Sequence, residues 1–402
     1  MDGVARLAVD NPRSGPGTGG EGEGEGAPAD SSLLKTLAAI AEQFQIPGPV
    51  CQIKPLGEGN VNDTFWVRCQ GIGDQFVLQR INTSVFPRPD LVMHNILMLS
   101  QHADQKQDLG PTNWITPRPI PSRETGDHWV QHDGEWWRLI TYVTGARTLQ
   151  ALDHPQQAEQ MGRALGVFHS LLSDLPADQL ADTLPGFHVT PAYLQAYHHT
   201  LEQVIGRINL QQEPFLAACL DFISQREEEL DVLESALQQG ELATRVIHGD
   251  PKVNNIMLCA TTGTAIAMVD LDTVKPGLVH YDIGDCCRSG CNRAGEETTN
   301  LDTVVFDLEL FEAILKGYLT SAQGTLSSKD FDYLYAAIRL IPLELGLRFL
   351  TDHLAGNQYF KVKRAGHNLD RARVQFKLTE SIESQADQIQ AIVDRLRQTI
   401  AP

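Results

Sequence analysis

The sequence predicts an α+β fold in two lobes, a small antiparallel sheet followed by a larger, mainly helical part. Three observations carry that expectation. The stretches Val50 to Leu56, Thr64 to Cys69 and Gln75 to Ile81 mix β-branched and aromatic residues and are separated by turn residues, as antiparallel strands are. From about residue 155 the apolar spacing becomes helical, with Met161, Leu165, Phe168, His169, Leu171 and Leu172 on one broad face. At 402 residues, with 42% hydrophobic and 21% charged residues, the chain is long enough and ordinary enough in composition to fill two cores.

In chain order, residues 1–30 read as a disordered tail, because their Gly, Pro and Glu content cannot bury enough apolar surface to offset ordering. Ser31-Ser32 precedes an apolar helical period that runs toward Pro47 and so caps a first helix. Gly57-Glu58-Gly59-Asn60 joins the first two strands, a glycine-bearing hairpin that is either a plain turn or a place where backbone N–H groups approach phosphate. A helix from Pro89 to His102 follows the third strand. An Asp133-Gly134 turn then closes a hairpin leading to Thr141-Tyr142-Val143. Further helices are expected over 214–238, 301–322 and 330–350, and a last one from about Arg371 to Thr399. His169 reads as a packing histidine.

The chemistry concentrates at Val246-Ile247-His248-Gly249-Asp250-Pro251-Lys252-Val253-Asn254-Asn255-Ile256-Met257-Leu258, where polar side chains stand at fixed offsets between two apolar runs. Asp250 can take a proton from a hydroxyl, Lys252 can reach a transferring phosphoryl group, and Asn255 can offer an amide oxygen to magnesium. A second apolar run, Ala265 to Val269, delivers Asp270-Leu271-Asp272 at its end. Magnesium is usually held by one or two carboxylates together with nucleotide phosphates, so Asn255 and Asp270 form a candidate metal site, with Asp272 available to a second ion. Taken singly, Asp250-Pro251 could be a turn and Asn254-Asn255 a loop filler. Their joint occurrence is far more specific.

These residues, with Tyr281-Asp282-Ile283-Gly284-Asp285, resemble the aminoglycoside phosphotransferase and choline kinase superfamily, which has the protein-kinase-like fold. Asn60 to Phe65, Val77 to Asn82, Leu184 to His188 and Arg348 to Asp352 are most similar to the N-acetylhexosamine 1-kinases, and the resemblance spans about residues 35 to 385. It implies a nucleotide-binding lobe over residues 31–143 and a catalytic and substrate-binding lobe over 144–402. ATP would contact Gly57, Gly59, Asn60 and Arg80, with its adenine on the backbone of Thr141, Tyr142 and Val143. Arg80 would pair with the phosphates and with an acid on the next helix, but His94 stands where relatives often carry glutamate.

For the acceptor, Asn62 and Asp63 follow the glycine turn closely and suit hydroxyl and acetamido groups, while Arg348 and Tyr359 match substrate-contacting positions of the N-acetylhexosamine kinases. Arg348 could equally pair with Asp352 one helical turn on. Arg288 would brace the region or touch substrate. The implied reaction transfers phosphate from ATP, with magnesium, to the anomeric hydroxyl of GlcNAc or GalNAc. An aminoglycoside, choline or amino-alcohol kinase shares the same phosphate machinery, and a silent nucleotide-binding regulator is the third class.

The formal net charge of −19 argues against nucleic acid, whose backbone demands a basic surface. Seven cysteines, an odd number, lack the paired spacing of zinc sites and suit a reducing compartment. No apolar run approaches a membrane span, and a cytoplasmic protein acting on a small molecule is expected.

Overall fold

In a computed structural model the described residues are 31–57, 61–71, 74–106 and 113–400. The expected tail, and Glu58, Gly59 and Asn60 of the glycine turn, lie outside them. Helix α1 (Ser31–Ala41) buries Leu37, Ile40 and Ala41 against the first sheet. That sheet comprises β1 (Val50–Pro55), β2 (Asp63–Cys69), β3 (Gln75–Ile81), β4 (Val130–His132) and β5 (Glu135–Thr141), with α2 (Pro89–Gln105) inserted after β3. Its strand order is β1-β2-β3-β5-β4, antiparallel throughout. The β4–β5 hairpin turns on Asp133 and Gly134, both at positive φ (53° and 81°), as a two-residue turn matching the strand twist requires.

The chain leaves β5 through Tyr142, Val143 and Gly145 into β6 (Ala146–Arg147), and the remainder is largely helical. It contains α3 (Pro155–Leu171), α4 (Thr190–Val204), α5 (Pro214–Ser224) and α6 (Val232–Gln238), then β7 (Arg245–Ile247), β8 (Ile256–Cys259), β9 (Ala265–Met268) and β10 (Lys275–Gly277). After these come α7 (Val279–Gly290), α8 (Leu308–Ser321), α9 (Ser328–Asp332), α10 (Leu334–Leu354), α11 (His367–Ser384) and α12 (Ala386–Ile400). Two small sheets, β6-β8-β9 and β10-β7, sit inside this helical frame. Helices α3 and α8 touch backbone to backbone: a Cβ on Gly162 would lie 1.8 Å from the Ile314 carbonyl oxygen, and one on Gly317 2.0 Å from that of Glu159. Only glycine permits that approach.

The α+β architecture is as expected, with four local differences. The helix expected over 214–238 is two, α5 and α6, because Arg226 turns back onto the Phe222 carbonyl and pairs with Glu383. The last helix likewise breaks at Gln385, whose Nε2 donates to the Phe306 and Ser381 carbonyls. The break lets both halves bury their apolar faces, Val374, Leu378 and Ile382 in α11 and Ile389, Val393 and Leu396 in α12. Helix α4 was not anticipated. Nor was α7, whose buried residues include the polar His280, Asp282, Asp285 and Arg288. No helix among the described residues is long and apolar enough to cross a membrane.

Candidate active site

Strand β7 ends at Ile247, and the next three residues, His248, Gly249 and Asp250, are held from behind. Buried Asp282 on α7 accepts the His248 N–H at 2.7 Å and the Gly249 N–H at 2.8 Å, and His169 Nε2 lies 2.9 Å from the same carboxylate. Burial works against this charge. The hydrogen bonds from His169 and from the His248 backbone outweigh it and hold the Asp282 pKa below the ordinary carboxylate range. His169 is thus a packing residue that also braces the loop. His248 Nε2 faces the Val269 carbonyl at 3.0 Å while its Nδ1 accepts the Asp250 N–H at 3.3 Å, which fixes a neutral ring with the proton on Nε2. Burial lowers its pKa in agreement. Gly249 has φ +84°, and a Cβ there would meet the Thr273 carbonyl oxygen at 2.7 Å.

On the open side of this loop, Lys252 Nζ meets Asp250 Oδ2 at 2.5 Å. Burial disfavours the ammonium, but Asp250, Asp270 and Asp285 together raise its pKa, so it remains a cation. Asn255, in the short turn before β8, donates Nδ2 to the Asp250 carbonyl at 2.8 Å and approaches Asp250 Oδ2 at 3.3 Å. Its amide oxygen is left without a protein partner among the described residues. The backbone bond from Val269 N to Asn255 O, 2.9 Å, brings Asp270 beside it. Asp270 adopts a left-handed conformation (φ 64°, ψ 58°), a strained choice for a non-glycine residue that recurs at functional sites. It is accessible to solvent yet ringed by protein. That crowding, with the Asp272 carboxylate, raises its pKa to about 6. Oxygen donors and mutually repelling carboxylates of this kind suit a hard divalent cation, which would relieve the repulsion.

Asp272, expected to be available to a second metal ion, is engaged within the protein. Its Oδ1 meets Arg138 Nη2 at 2.5 Å, as an ion pair rather than an aligned hydrogen bond, and its Oδ2 accepts from Asn62 Nδ2 at 2.6 Å. Both partners come from the strand-rich part. Asn62, expected at the acceptor, is itself buried, and its Oδ1 takes the Asn82 N–H at 3.0 Å. Arg138 is 1% exposed and also donates to Gln79 Oε1 at 2.9 and 2.8 Å. The sequence signal for it was a cation amid Trp136, Trp137, Leu139 and Ile140, where a strand normally places an apolar residue.

Arg80 is likewise paired differently from expectation. Its acid is not on α2 but directly across the sheet: Nε donates to Asp63 Oδ2 at 2.8 Å, a second nitrogen joins the same oxygen, and Glu135 lies 3.7 Å away. Asp63, expected at the acceptor, thus pairs with Arg80. Asp63→Ala is expected to raise the KM for nucleotide more than that for acceptor, and initial rates with each varied in turn distinguish the two. Gly57, which follows β1, has φ +70°.

The Thr141 N–H donates to the Arg118 carbonyl at 2.9 Å and the Tyr142 N–H to that of Gln75, in β3, at 3.1 Å. Val143 instead packs with Ile266 and Ala267 of β9, an apolar floor where the chain passes between the two parts. Arg288 faces Asp285 (2.7 Å) and Glu296 (3.3 Å), so it braces α7. Arg348 does not pair with Asp352. Its guanidinium lies over Phe187, Tyr193 and Phe360 at 5.3, 4.9 and 5.6 Å from the ring centroids. Asp352 instead accepts the N–H groups of Gln358, Tyr359 and Phe360, fixing the segment that presents the exposed Tyr359. Cys286, Cys287 and Cys291 are buried thiols of the α7 region, with burial raising Cys286 and Cys291.

Residues 52–319 match the phosphotransferase enzyme family, two thirds of the chain. The chain belongs to that family. This phosphotransferase is similar in structure to an aminoglycoside phosphotransferase from Alicyclobacillus acidocaldarius, at TM-score 0.59 and 16% identity, over 94% of this chain and 98% of the other. A microcompartment-associated aminopropanol kinase gives 0.58 and 16%, covering 89% and 98%. A choline kinase from Cryptosporidium parvum Iowa II gives 0.52 and 14%, covering 91% and 99%. At such identities the likeness is one of fold.

Proposed function

We propose that this phosphotransferase is an ATP- and magnesium-dependent kinase that phosphorylates the anomeric hydroxyl of an N-acetylhexosamine. In this reading residues 31–143 bind nucleotide and residues 144–402 carry catalysis and the acceptor. Asp250 orients the acceptor hydroxyl and takes its proton. Lys252 lies beside the transferring phosphoryl group, Arg80 meets the nucleotide phosphates, and the backbone of Thr141 to Val143 receives the adenine edge. Asn255 and Asp270 would hold magnesium, which supplies charge neutralisation at the phosphates when bound.

The observation that carries the acceptor class is the position of Arg348. Three aromatic rings near the catalytic loop form the kind of box that attracts a cation, and the protein's own guanidinium already fills it. A quaternary ammonium acceptor would have to displace that charge. A neutral polyol instead gains the guanidinium's fork of donors and the adjacent Tyr359 hydroxyl.

The net charge of −19 favours the competing reading, an aminoglycoside or amino-alcohol acceptor. An acceptor screen with ATP and magnesium over GlcNAc, GalNAc, choline, ethanolamine and an aminoglycoside separates them. A 1-phosphate formed from GlcNAc or GalNAc is the expected product, and turnover confined to the amines would reverse the assignment.

A further inference from the structure

We propose that His188 and Glu344 are positioning residues for Asp250: a buried imidazolium–carboxylate pair that pins the Gly249–Asp250 peptide and ties it to the acceptor side of the site. The proposal rests on Asp250 being the base.

The hydrogen-bond partners set the protonation. His188 Nε2 lies 2.9 Å from the Gly249 carbonyl oxygen, which can only accept, so Nε2 carries a proton. Nδ1 lies 2.9 Å from Glu344 Oε1, and the other oxygen of that carboxylate accepts from Thr190 Oγ1 at 2.8 Å. With Glu344 as a carboxylate, both ring nitrogens donate and the ring is an imidazolium. Both side chains are almost fully buried, at 5% and 1% exposure. The same peptide whose oxygen His188 holds presents its N–H to His248 Nδ1. One histidine charged and one neutral thus grip the two ends of the peptide that carries Asp250.

The segment bearing His188 is shaped for this. Gly186 and His188 both adopt positive φ, 82° and 64°. For histidine that is an uncommon conformation, and it requires support from the surroundings. Phe187, between them, is one wall of the box around Arg348. Two successive side chains therefore face the acceptor box and the base's peptide, so that packing of an acceptor against Phe187 is felt at Asp250.

The groups around the ring are of both signs, the carboxylates favouring its charge and the Arg348 and Lys252 cations opposing it. Glu344 and Arg348 approach from α10, Tyr281 and Asp285 from α7, Tyr193 from α4, and Asp250 with Lys252 from the loop. Tyr281 stacks on the ring at 5.4 Å while its hydroxyl donates to Glu234. Burial opposes the charge, but Glu344, the Gly249 carbonyl and Asp285 outweigh it and raise the His188 pKa above the usual imidazole value. A raised value in the folded state means that the pair's contribution is complete below about pH 6.5 and is lost as pH rises through the folded-state pKa. Turnover should therefore fall on the alkaline side.

The test combines nitrogen-15 NMR of histidine-labelled protein with rate–pH profiles of wild type, His188→Gln and Glu344→Gln. In wild type one ring is expected to stay doubly protonated above pH 6.5, its signal absent in His188→Gln and shifted to a neutral ring at lower pH in Glu344→Gln. Glu344→Gln should lower kcat about tenfold or more at neutral pH, the scale of a misplaced catalytic group. It should also move the alkaline limb to lower pH and leave the KM for ATP unchanged. A neutral His188 ring in wild type at pH 7 overturns the proposal, even if the variants fail to fold. A wild-type kcat and pH profile in folded Glu344→Gln also overturns it. Rates are read on whichever acceptor wild type uses, or on ATP hydrolysis by water, so a wrong acceptor assignment shows separately in the screen. A wrong base shows in Asp250→Asn.

Discussion

Asp250→Asn is expected to bind magnesium and ATP as wild type does and to turn over about 10²–10⁴-fold more slowly, the usual effect of losing a general base. Asparagine keeps the shape and can still face Lys252 and Asn255, which surround the carboxylate at 2.5 and 3.3 Å, but it has no site for the acceptor's proton. Asp270→Ala should behave differently. It removes a carboxylate proposed to hold magnesium, so turnover and magnesium-dependent nucleotide binding should fall together. Calorimetric ATP titrations with and without magnesium, beside initial rates, separate the two variants. Near-wild-type turnover in Asp250→Asn would remove the mechanism, and unchanged magnesium dependence in Asp270→Ala would move the metal elsewhere.

Arg138→Met is expected to cost about 3–5 kcal/mol of stability, because it leaves Asp272 charged, buried and unpaired. The typical substitution costs about 1 kcal/mol. Arg138 and Asp272 are each 2% exposed at the side chain, and Asn62 and Gln79 complete the cluster. The pair joins a strand of the sheet to the turn that carries Asp270, so the same variant should also weaken nucleotide binding. Denaturant unfolding and ATP titration of one preparation measure both. A loss below about 1 kcal/mol would show that water or a rearranged Asn62 compensates Asp272.

Local pattern carried most of the fold. Strands β1 to β5 were legible because alternation, β-branched residues and turn residues are encoded within a few positions, and α3 because its apolar face repeats. Helix α7 was not, since it buries His280, Asp282, Asp285 and Arg288, residue types that a sequence reading places at the surface. The breaks at Arg226 and Gln385 were also invisible, because each depends on a partner far along the chain, Glu383 and Phe306. The site divides in the same way. Asp250, Lys252 and Asn255 lie within six residues, so their spacing alone groups them. Arg80, Asp63, Arg138 and Asp272 meet only when strands pair and the two parts close on each other.

By itself the sequence determined an α+β chain with one loop whose carboxylate, ammonium and amide suit phosphoryl transfer, because secondary structure and short motifs are set by neighbours in the chain. The tertiary structure alone decided what the remaining polar residues do. It paired Asp272 with a buried arginine and with Asn62, gave Arg80 its acid on the neighbouring strand, and set His188 behind the Gly249 carbonyl. The Arg80 pair is exposed and follows from strand register, whereas the others rest on a buried charge or polar group finding its counterpart, a demand that burial imposes and that sequence spacing does not record.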